Sequence, residues 1–230
     1  VVIMAGGKGT RLRPLTTNIP KPMLKVGKNP ILQTIIKTFK DCGFKDFIIC
    51  VNYKSQIIEN YFGNGENFGV RIKYIREKKR MGTAGALSLI NDKLSEPFFV
   101  MNGDLLTNLD FEKMLDFHLD NESKATMCVR QYKFEIPFGV VSLNNENIVS
   151  LEEKPIHNFF VNAGIYVLDS ECLELIPNKF YNMTSLFEKM VSNGKKTISF
   201  PMNEYWIDIG RLVDYEKANS EYHSIFNDIK

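Results

Sequence analysis

The residues best placed to do chemistry stand within the first ten. Ala5-Gly6-Gly7-Lys8-Gly9-Thr10 follows the short apolar run Val1-Val2-Ile3-Met4, which reads as a buried strand. Three glycines let the chain turn sharply and bring its N–H groups close to a ligand with no Cβ in the way. Successive N–H groups in such a turn form a concave nest that favours anions. Charge points the same way. Eight basic residues, Lys8, Arg11, Arg13, Lys21, Lys25, Lys28, Lys37 and Lys40, precede the first acidic one, Asp41. With 29 Lys+Arg and 27 Asp+Glu in all, the first forty residues carry +8 and the rest carry 21 − 27 = −6. A one-signed segment joined to a glycine turn suggests a polyanion such as a triphosphate. A plain solvated basic face is the weaker reading, because glycines and prolines interleave the charges.

Two common phosphate motifs fail on residue identity. A P-loop needs Gly-Lys-Ser/Thr after four intervening residues, and Lys8 is followed by Gly9. A dinucleotide fingerprint needs a third glycine where Leu12 stands, and an acidic residue about twenty further on, where only basic ones occur. A carboxylate of interest comes later. The apolar run at 97–101 ends in Asn102-Gly103-Asp104. An aspartate just past the carboxyl end of a parallel strand sits where open α/β sheets bind ligands, although it could also cap the next helix or turn.

The elements that must position these groups alternate. Asn29-Pro30 reads as an N-cap followed by proline at the first helical position. The helix runs on through Ile31, Leu32, Ile35, Ile36 and Phe39, and Gly43 ends it. A strand at 47–51, buried on both faces, a helix near 55–62 and a strand near 70–75 follow. That alternation predicts βαβ units and a parallel sheet with right-handed crossovers. The small residues of Gly82-Thr83-Ala84-Gly85-Ala86-Leu87 open a further helix, a pattern that suits close packing. A helix at 111–119 and a strand at 125–129 come next. Then strands occur without helices between them. Residues 139–143, a polar turn at 144–147 and residues 148–154 read as a β-hairpin, giving a mixed-sheet lobe packed on the first half. A helix at 184–191, a strand at 195–201 and a tail helix at 214–226 with a solvated polar face complete the chain.

At 230 residues, 44% hydrophobic and 24% charged, the chain reads as one soluble globular domain, or one with a lobe. No apolar run approaches the roughly 18 residues of a membrane span, and no signal peptide is visible. The start at Val1 reads as a trimmed end, with room for an N-terminal module upstream. Cys42, Cys50, Cys128 and Cys172 lack metal-type spacing and read as buried free thiols of a cytoplasmic protein. His118, His157 and His223 are isolated and suit neither a zinc site nor a Ser/His triad. A net charge of +2 argues against a dedicated nucleic-acid surface. Self-association is left open.

Gly-Gly-x-Gly-Thr-Arg-Leu-x-Pro-Leu-Thr at 6–16, followed by Pro20-Lys21-Pro22-Met23, resembles the signature of the sugar-1-phosphate nucleotidyltransferases. Further stretches match in the family's order: Gly82-Thr83-Ala84-Gly85-Ala86, Phe138-Gly139-Val140-Val141, Glu153-Lys154-Pro155, Asn162-Ala163-Gly164-Ile165-Tyr166 and Trp206-Ile207-Asp208-Ile209-Gly210. The resemblance thus runs from Val1 to about Ala218.

It implies an α/β, Rossmann-like (glycosyltransferase A-like) fold, with a mixed, mostly parallel central sheet flanked by helices. A small β-rich sugar-binding lobe would sit on it. The single catalytic domain would divide into a nucleotide-binding half (about 1–130), a sugar-phosphate lobe (about 131–210) and a C-terminal helix (211–230). The implied reaction joins a nucleoside triphosphate to a sugar 1-phosphate and releases pyrophosphate. Ala5, Gly6, Gly7, Gly9 and Thr10 would cradle the triphosphate, and Arg11 would neutralise its β- and γ-phosphates. Lys21 would contact the phosphates near the reacting phosphorus. Gly82, Thr83 and Ala84 would lie against base and ribose. Asp104 and Asp208 would hold Mg²⁺. Gly139 would let the sugar ring lie close, Glu153 and Asn162 would bind its hydroxyls, and Lys154 its phosphate. The Gly-Thr-Ala-Gly-Ala-Leu and Trp-Ile-Asp-Ile-Gly-Arg stretches resemble the guanylyltransferase branch most, which implies GTP, with a UTP- or dTTP-dependent transferase or a non-catalytic regulatory subunit as alternatives. The preceding Glu77-Lys78-Lys79-Arg80-Met81 is more basic than the family pattern, so the residue that reads the base edge is left open.

Overall fold

The computed structural model describes residues 1–90, 94 and 97–226. In chain order the strands are β1 (Val2–Met4), β2 (Lys25–Val26), β3 (Asn29–Pro30), β4 (Asp46–Val51), β5 (Arg71–Arg76), β6 (Phe98–Asn102), β7 (Leu105–Thr107), β8 (Ala125–Glu135), β9 (Val140–Asn144), β10 (Asn147–Glu152), β11 (Ile156–Leu168), β12 (Thr197–Met202) and β13 (Trp206–Asp208). The helices are α1 (Ile31–Asp41), α2 (Ser55–Phe62), α3 (Phe111–Asp120), α4 (Met183–Ser192) and α5 (Leu212–Ile225).

Seven strands form the central sheet, in the order β12-β8-β11-β6-β1-β4-β5. Only β11 runs against its neighbours β6 and β8; the other pairings are parallel. The sheet is therefore mixed and mostly parallel, as the family resemblance implies, with the parallel part that the alternating elements predict. Strand β1 lies in its middle, with β4 on one side and β6 on the other. The chain thus reverses its direction of winding at β1 and β6. Open α/β sheets bind ligands beyond the carboxyl ends of the strands at such a switch point.

Both sheet faces are covered, and strand alternation divides the core. Ile3, Ile49, Phe99 and Met101 face one cluster with Phe39 and Phe111, whose rings stack at 3.6 Å. Val2, Cys50 and Val100 face a second cluster with Met183 and Leu186 of α4. The four cysteines are free, and three of them are buried. His118 is buried and bonded to Thr126 Oγ1 at 2.8 Å and Asp169 Oδ1 at 3.3 Å. No helix among the described residues is long and apolar enough to cross a membrane.

The structure departs from the sequence reading in three places. Asn29 does not cap α1. Residues Asn29–Pro30 pair with Lys25–Val26 in a two-residue ladder, and Pro30 precedes the first turn of α1. The hairpin closes through Gly27 at φ +63°, pressed against the ring of Tyr222 from α5. Its N–H donates to Asn219 Oδ1, while the Tyr222 hydroxyl meets Thr34 Oγ1 at 3.0 Å. A Cβ at Gly27 would stand 2.4 Å from Tyr222 Cδ1. Gly27→Ala is therefore expected to cost about 2 kcal/mol, a fall of roughly 4–8 °C in the melting temperature for a chain of this size. An unchanged melt would mean that α5 does not clamp this turn.

Second, the helix expected to open at Gly82 is a short 3₁₀ turn, Gly85–Leu89. Its entry is tied elsewhere: the N–H groups of Ala84 and Gly85 both donate to Tyr181 O. Third, the β9–β10 hairpin stands off the first half, although the lobe's β11 and β13 pair with β6 and β7 there. The β9–β10 hairpin is exposed along its length apart from Val140. Its alternation is legible locally, whereas the cover over it is a tertiary property.

Candidate active site

An open cleft of about 690 Å³ lies at the carboxyl ends of β1, β4, β5 and β6, within the size range of small-molecule sites. Residues 4–12, Lys21, 77–80, Asn102-Gly103-Asp104 and Gly210 are among those that line it. The glycine turn forms its floor because β1 ends there. Ala5 N–H donates to Cys50 O, and Gly103 N–H to Met4 O, so the turn is pinned to both neighbouring strands. Gly9 takes φ +60°, and its carbonyl accepts a 2.7 Å bond from Thr16 Oγ1. Gly7 has open space where a Cβ would be. Backbone N–H groups can therefore approach a ligand there without obstruction.

Lys21 is the informative side chain. It opens a 3₁₀ turn, Lys21–Met23, flanked by Pro20 and Pro22, and is only 7% exposed. A buried lysine requires negative partners. Its Nζ lies 2.5 Å from Asp104 Oδ2 and 3.6 Å from Asp208 Oδ1. Asp104 follows β6 directly. Asp208 arrives from a distant part of the chain because β13 pairs antiparallel with β7, setting Asp208 opposite Leu105. Ile209 N–H then bonds Asp104 O at 3.1 Å. Partial burial and the nearby Asp104 raise the Asp208 carboxyl above its usual range, while Lys21 and Arg11 pull it back. Arg11 lies against Gly210, its guanidinium nitrogens 3.6 Å from where a Cβ there would stand.

Other residues singled out from sequence are placed differently. Gly82 and Thr83 line the cleft, but Thr83 Oγ1 also accepts the Met183 N–H at the start of α4. Ala84 is fully buried. Asn162 is exposed, its amide donating to Tyr166 Oη and its carbonyl oxygen accepting the Gly164 N–H. Gly139 and Glu153 are neighbours, with Glu153 Oε2 3.0 Å from where a Gly139 Cβ would be. Together with Lys154 they are exposed and stand off the cleft lining.

Glu77 escaped the sequence reading. It follows β5 directly at the cleft wall, where its Oε2 accepts the Met81 N–H at 3.2 Å and its Oε1 stands beside Gly6. Partial burial raises its carboxyl above the ordinary range, against the pull of the Met81 N–H. The available signal was one acid ahead of three bases.

A model of the nucleotidyl transferase family matches residues 1–225. The chain belongs to that family. Among its relatives, a mannose-1-phosphate guanyltransferase of Yarrowia lipolytica is 31% identical over 231 residues, covering 97% of this chain and 64% of that protein. A UTP–glucose-1-phosphate uridylyltransferase of Synechocystis is 32% identical, covering 94% of this chain and 61% of that protein. This family member thus spans about three-fifths of the length of the curated relatives it matches. Among solved structures, HddC from Yersinia pseudotuberculosis complexed with GMP-PN superposes with a TM-score of 0.72 at 27% identity, over 96% of this chain and 98% of that one.

Proposed function

We propose that this chain transfers a nucleoside monophosphate from a nucleoside triphosphate to a sugar 1-phosphate, releasing pyrophosphate. The observation that carries the reading is the Lys21–Asp104–Asp208 cluster beside an anion-cradling glycine turn, in a cleft of the right size. A phosphate oxygen of the sugar 1-phosphate attacks the α-phosphorus, and the bond from that phosphorus to the oxygen bridging to the β-phosphate breaks. The attacking oxygen is already an anion, so no serine, cysteine or histidine nucleophile is needed. The reaction needs two polyanions aligned and the developing charge neutralised. The backbone at 7–10 and Arg11 hold the β- and γ-phosphates, with Gly6 left to the part of the ligand that meets Glu77, and Lys21 serves the α-phosphate.

Asp104 and Asp208 fit magnesium. That ion is usually held by one or two carboxylates with phosphate oxygens completing its shell. No cluster of three or more His, Cys, Asp or Glu suited to another metal occurs among the described residues. The two carboxylates already share a cation, the Lys21 ammonium, that offsets their repulsion. When bound, the metal would supply charge neutralisation at the α-phosphate. On the sugar side, Lys154, Glu153, Gly139 and Asn162 would have to approach the cleft with the substrate.

Glu77 supports GTP. A carboxylate in a cleft lined by Lys8, Arg11, Lys78, Lys79 and Arg80 faces phosphate at a cost, so it suits the donor-rich end of a ligand. The guanine edge offers two adjacent donors, N1–H and N2–H, whereas uracil and thymine offer one N–H between two carbonyls that a carboxylate repels. Glu77→Gln is expected to lower kcat/KM for GTP by at least ~10-fold and to narrow its lead over UTP. An unchanged ratio would remove Glu77 from base selection.

Pyrophosphate release from GTP, ATP, UTP, CTP and dTTP, with Mg²⁺ and hexose, hexosamine and heptose 1-phosphates, tests the whole reading. Release with GTP and one sugar, abolished by EDTA, is expected. Turnover with UTP alone would favour the uridylyltransferase reading that the Synechocystis relative represents. Nucleotide binding without turnover would favour a regulatory subunit.

A further inference from the structure

Thr16 is fully buried, although residues 13–15 and 17–19 on either side of it are exposed. A buried hydroxyl needs a partner. That of Thr16 donates to Gly9 O at 2.7 Å, a carbonyl that also accepts the Leu12 N–H at 3.0 Å. The partner matters because Gly9 belongs to the glycine turn. A cradle of successive N–H groups holds an anion only while the carbonyls between them point elsewhere. Gly9 is the loosest point of the turn. It stands at φ +60°, ψ 31°, and with no Cβ it could leave that conformation at little steric cost. Packing adds a second restraint. A Cβ at Gly9 would stand 2.9 Å from Thr16 Cγ2 and 3.1 Å from Lys21 Cβ. Thr16 and the stem of Lys21 therefore press on one face of the same glycine. Thr16 is itself held from outside the turn. The Tyr53 hydroxyl, two residues past β4, donates to Thr17 O at 3.2 Å, with Thr16 O 3.4 Å away.

We propose that Thr16 is a positioning residue for the triphosphate, its hydroxyl holding the Gly9 carbonyl turned away from the cradle. It touches no substrate and acts through Gly9. Without the hydroxyl, Gly9 would keep one bond on its carbonyl, from Leu12, and would visit conformations in which that oxygen faces the ligand. A carbonyl dipole turned toward a polyanion repels it, so only the fraction of molecules with a formed cradle would bind. The placement of a triphosphate at residues 7–10 rests on the proposed function; the grip of Thr16 on Gly9 does not.

Inorganic tripolyphosphate is the probe, because it carries neither base nor sugar. Its affinity would be measured by calorimetry for the wild-type chain, Thr16→Val and Thr16→Ser. Valine keeps the shape of threonine and loses the hydroxyl. Serine keeps the hydroxyl and leaves the space of one methyl group empty. Thr16→Val is expected to bind at least ~10-fold more weakly, as a cradle formed about a tenth of the time would. Thr16→Ser is expected to stay within ~3-fold of wild type. KM for GTP should rise with the loss of affinity, while KM for the sugar 1-phosphate stays unchanged. Leu12 N–H still serves Gly9 O in Thr16→Val, so the fold should persist, and melting of each variant checks it. A merely structural threonine would give affinities that follow melting temperature rather than the hydroxyl, and that result would overturn the proposal. So would unchanged affinity in Thr16→Val, or a wild-type chain that binds no tripolyphosphate. Affinity that follows the hydroxyl in a chain without turnover would uphold the role of Thr16 and contradict the transferase reading alone.

Discussion

Lys21→Ala is expected to lower kcat by roughly 100-fold or more, the usual cost of removing one preorganised group from a site of developing charge. Lys21 is positioned more firmly than any other cation of the cleft. It is buried, held in a turn between two prolines, and bonded to Asp104 at 2.5 Å. Its ammonium can exchange carboxylate for phosphate contacts as substrate arrives, without a side-chain search. The substitution should also have an opposite effect on the metal. With Lys21 gone, Asp104 and Asp208 repel one another unrelieved, so Mg²⁺ alone should bind more tightly while turnover collapses. A merely structural lysine would not give that split. Full activity in the variant would remove Lys21 from the machinery.

Asp208→Asn is expected to lower kcat by ~10- to ~1,000-fold and to raise the Mg²⁺ concentration needed for half-maximal rate. The change is nearly isosteric, and the β7–β13 pairing that places residue 208 is made by backbone, so the fold should persist. Only the charge is lost. Lys21 then has a single carboxylate within reach, Asp104, and the proposed metal site would lose one of its two carboxylates. Rates measured across a magnesium titration check this. A variant with wild-type rate and wild-type magnesium dependence would show that Asp208 is not a ligand.

The parts of the site that follow from neighbouring residues were legible in the sequence. The apolar run 1–4, the glycine turn and the strand ending at Asp104 are local patterns, and βαβ alternation places both loops at one edge of a parallel sheet. Asp208 was not legible from the residues alone. Its approach to Asp104 depends on a short antiparallel pairing between segments a hundred residues apart, so only the Trp206-to-Gly210 motif pointed to it. Glu77 was hidden because it opens a basic run, and which strand end faces the cleft is fixed by sheet order. Proline at 30 suggested a helix start, but the Gly27 turn and the α5 clamp drew Asn29–Pro30 into a ladder first. The β9–β10 hairpin was read correctly from alternation. What covers it is set by tertiary or quaternary contacts that alternation does not encode.

Nucleotidyl transfer at the α-phosphorus is the central claim, and labelled GTP tests it most directly. The chain would be incubated with Mg²⁺, a sugar 1-phosphate and GTP carrying ³²P at either the α- or the γ-position. The expected result is α-label in a guanosine diphosphate sugar and γ-label in pyrophosphate, in equal amounts. Label from the γ-position on the sugar, or from the α-position only in free GMP, would contradict it, showing phosphoryl transfer or hydrolysis instead.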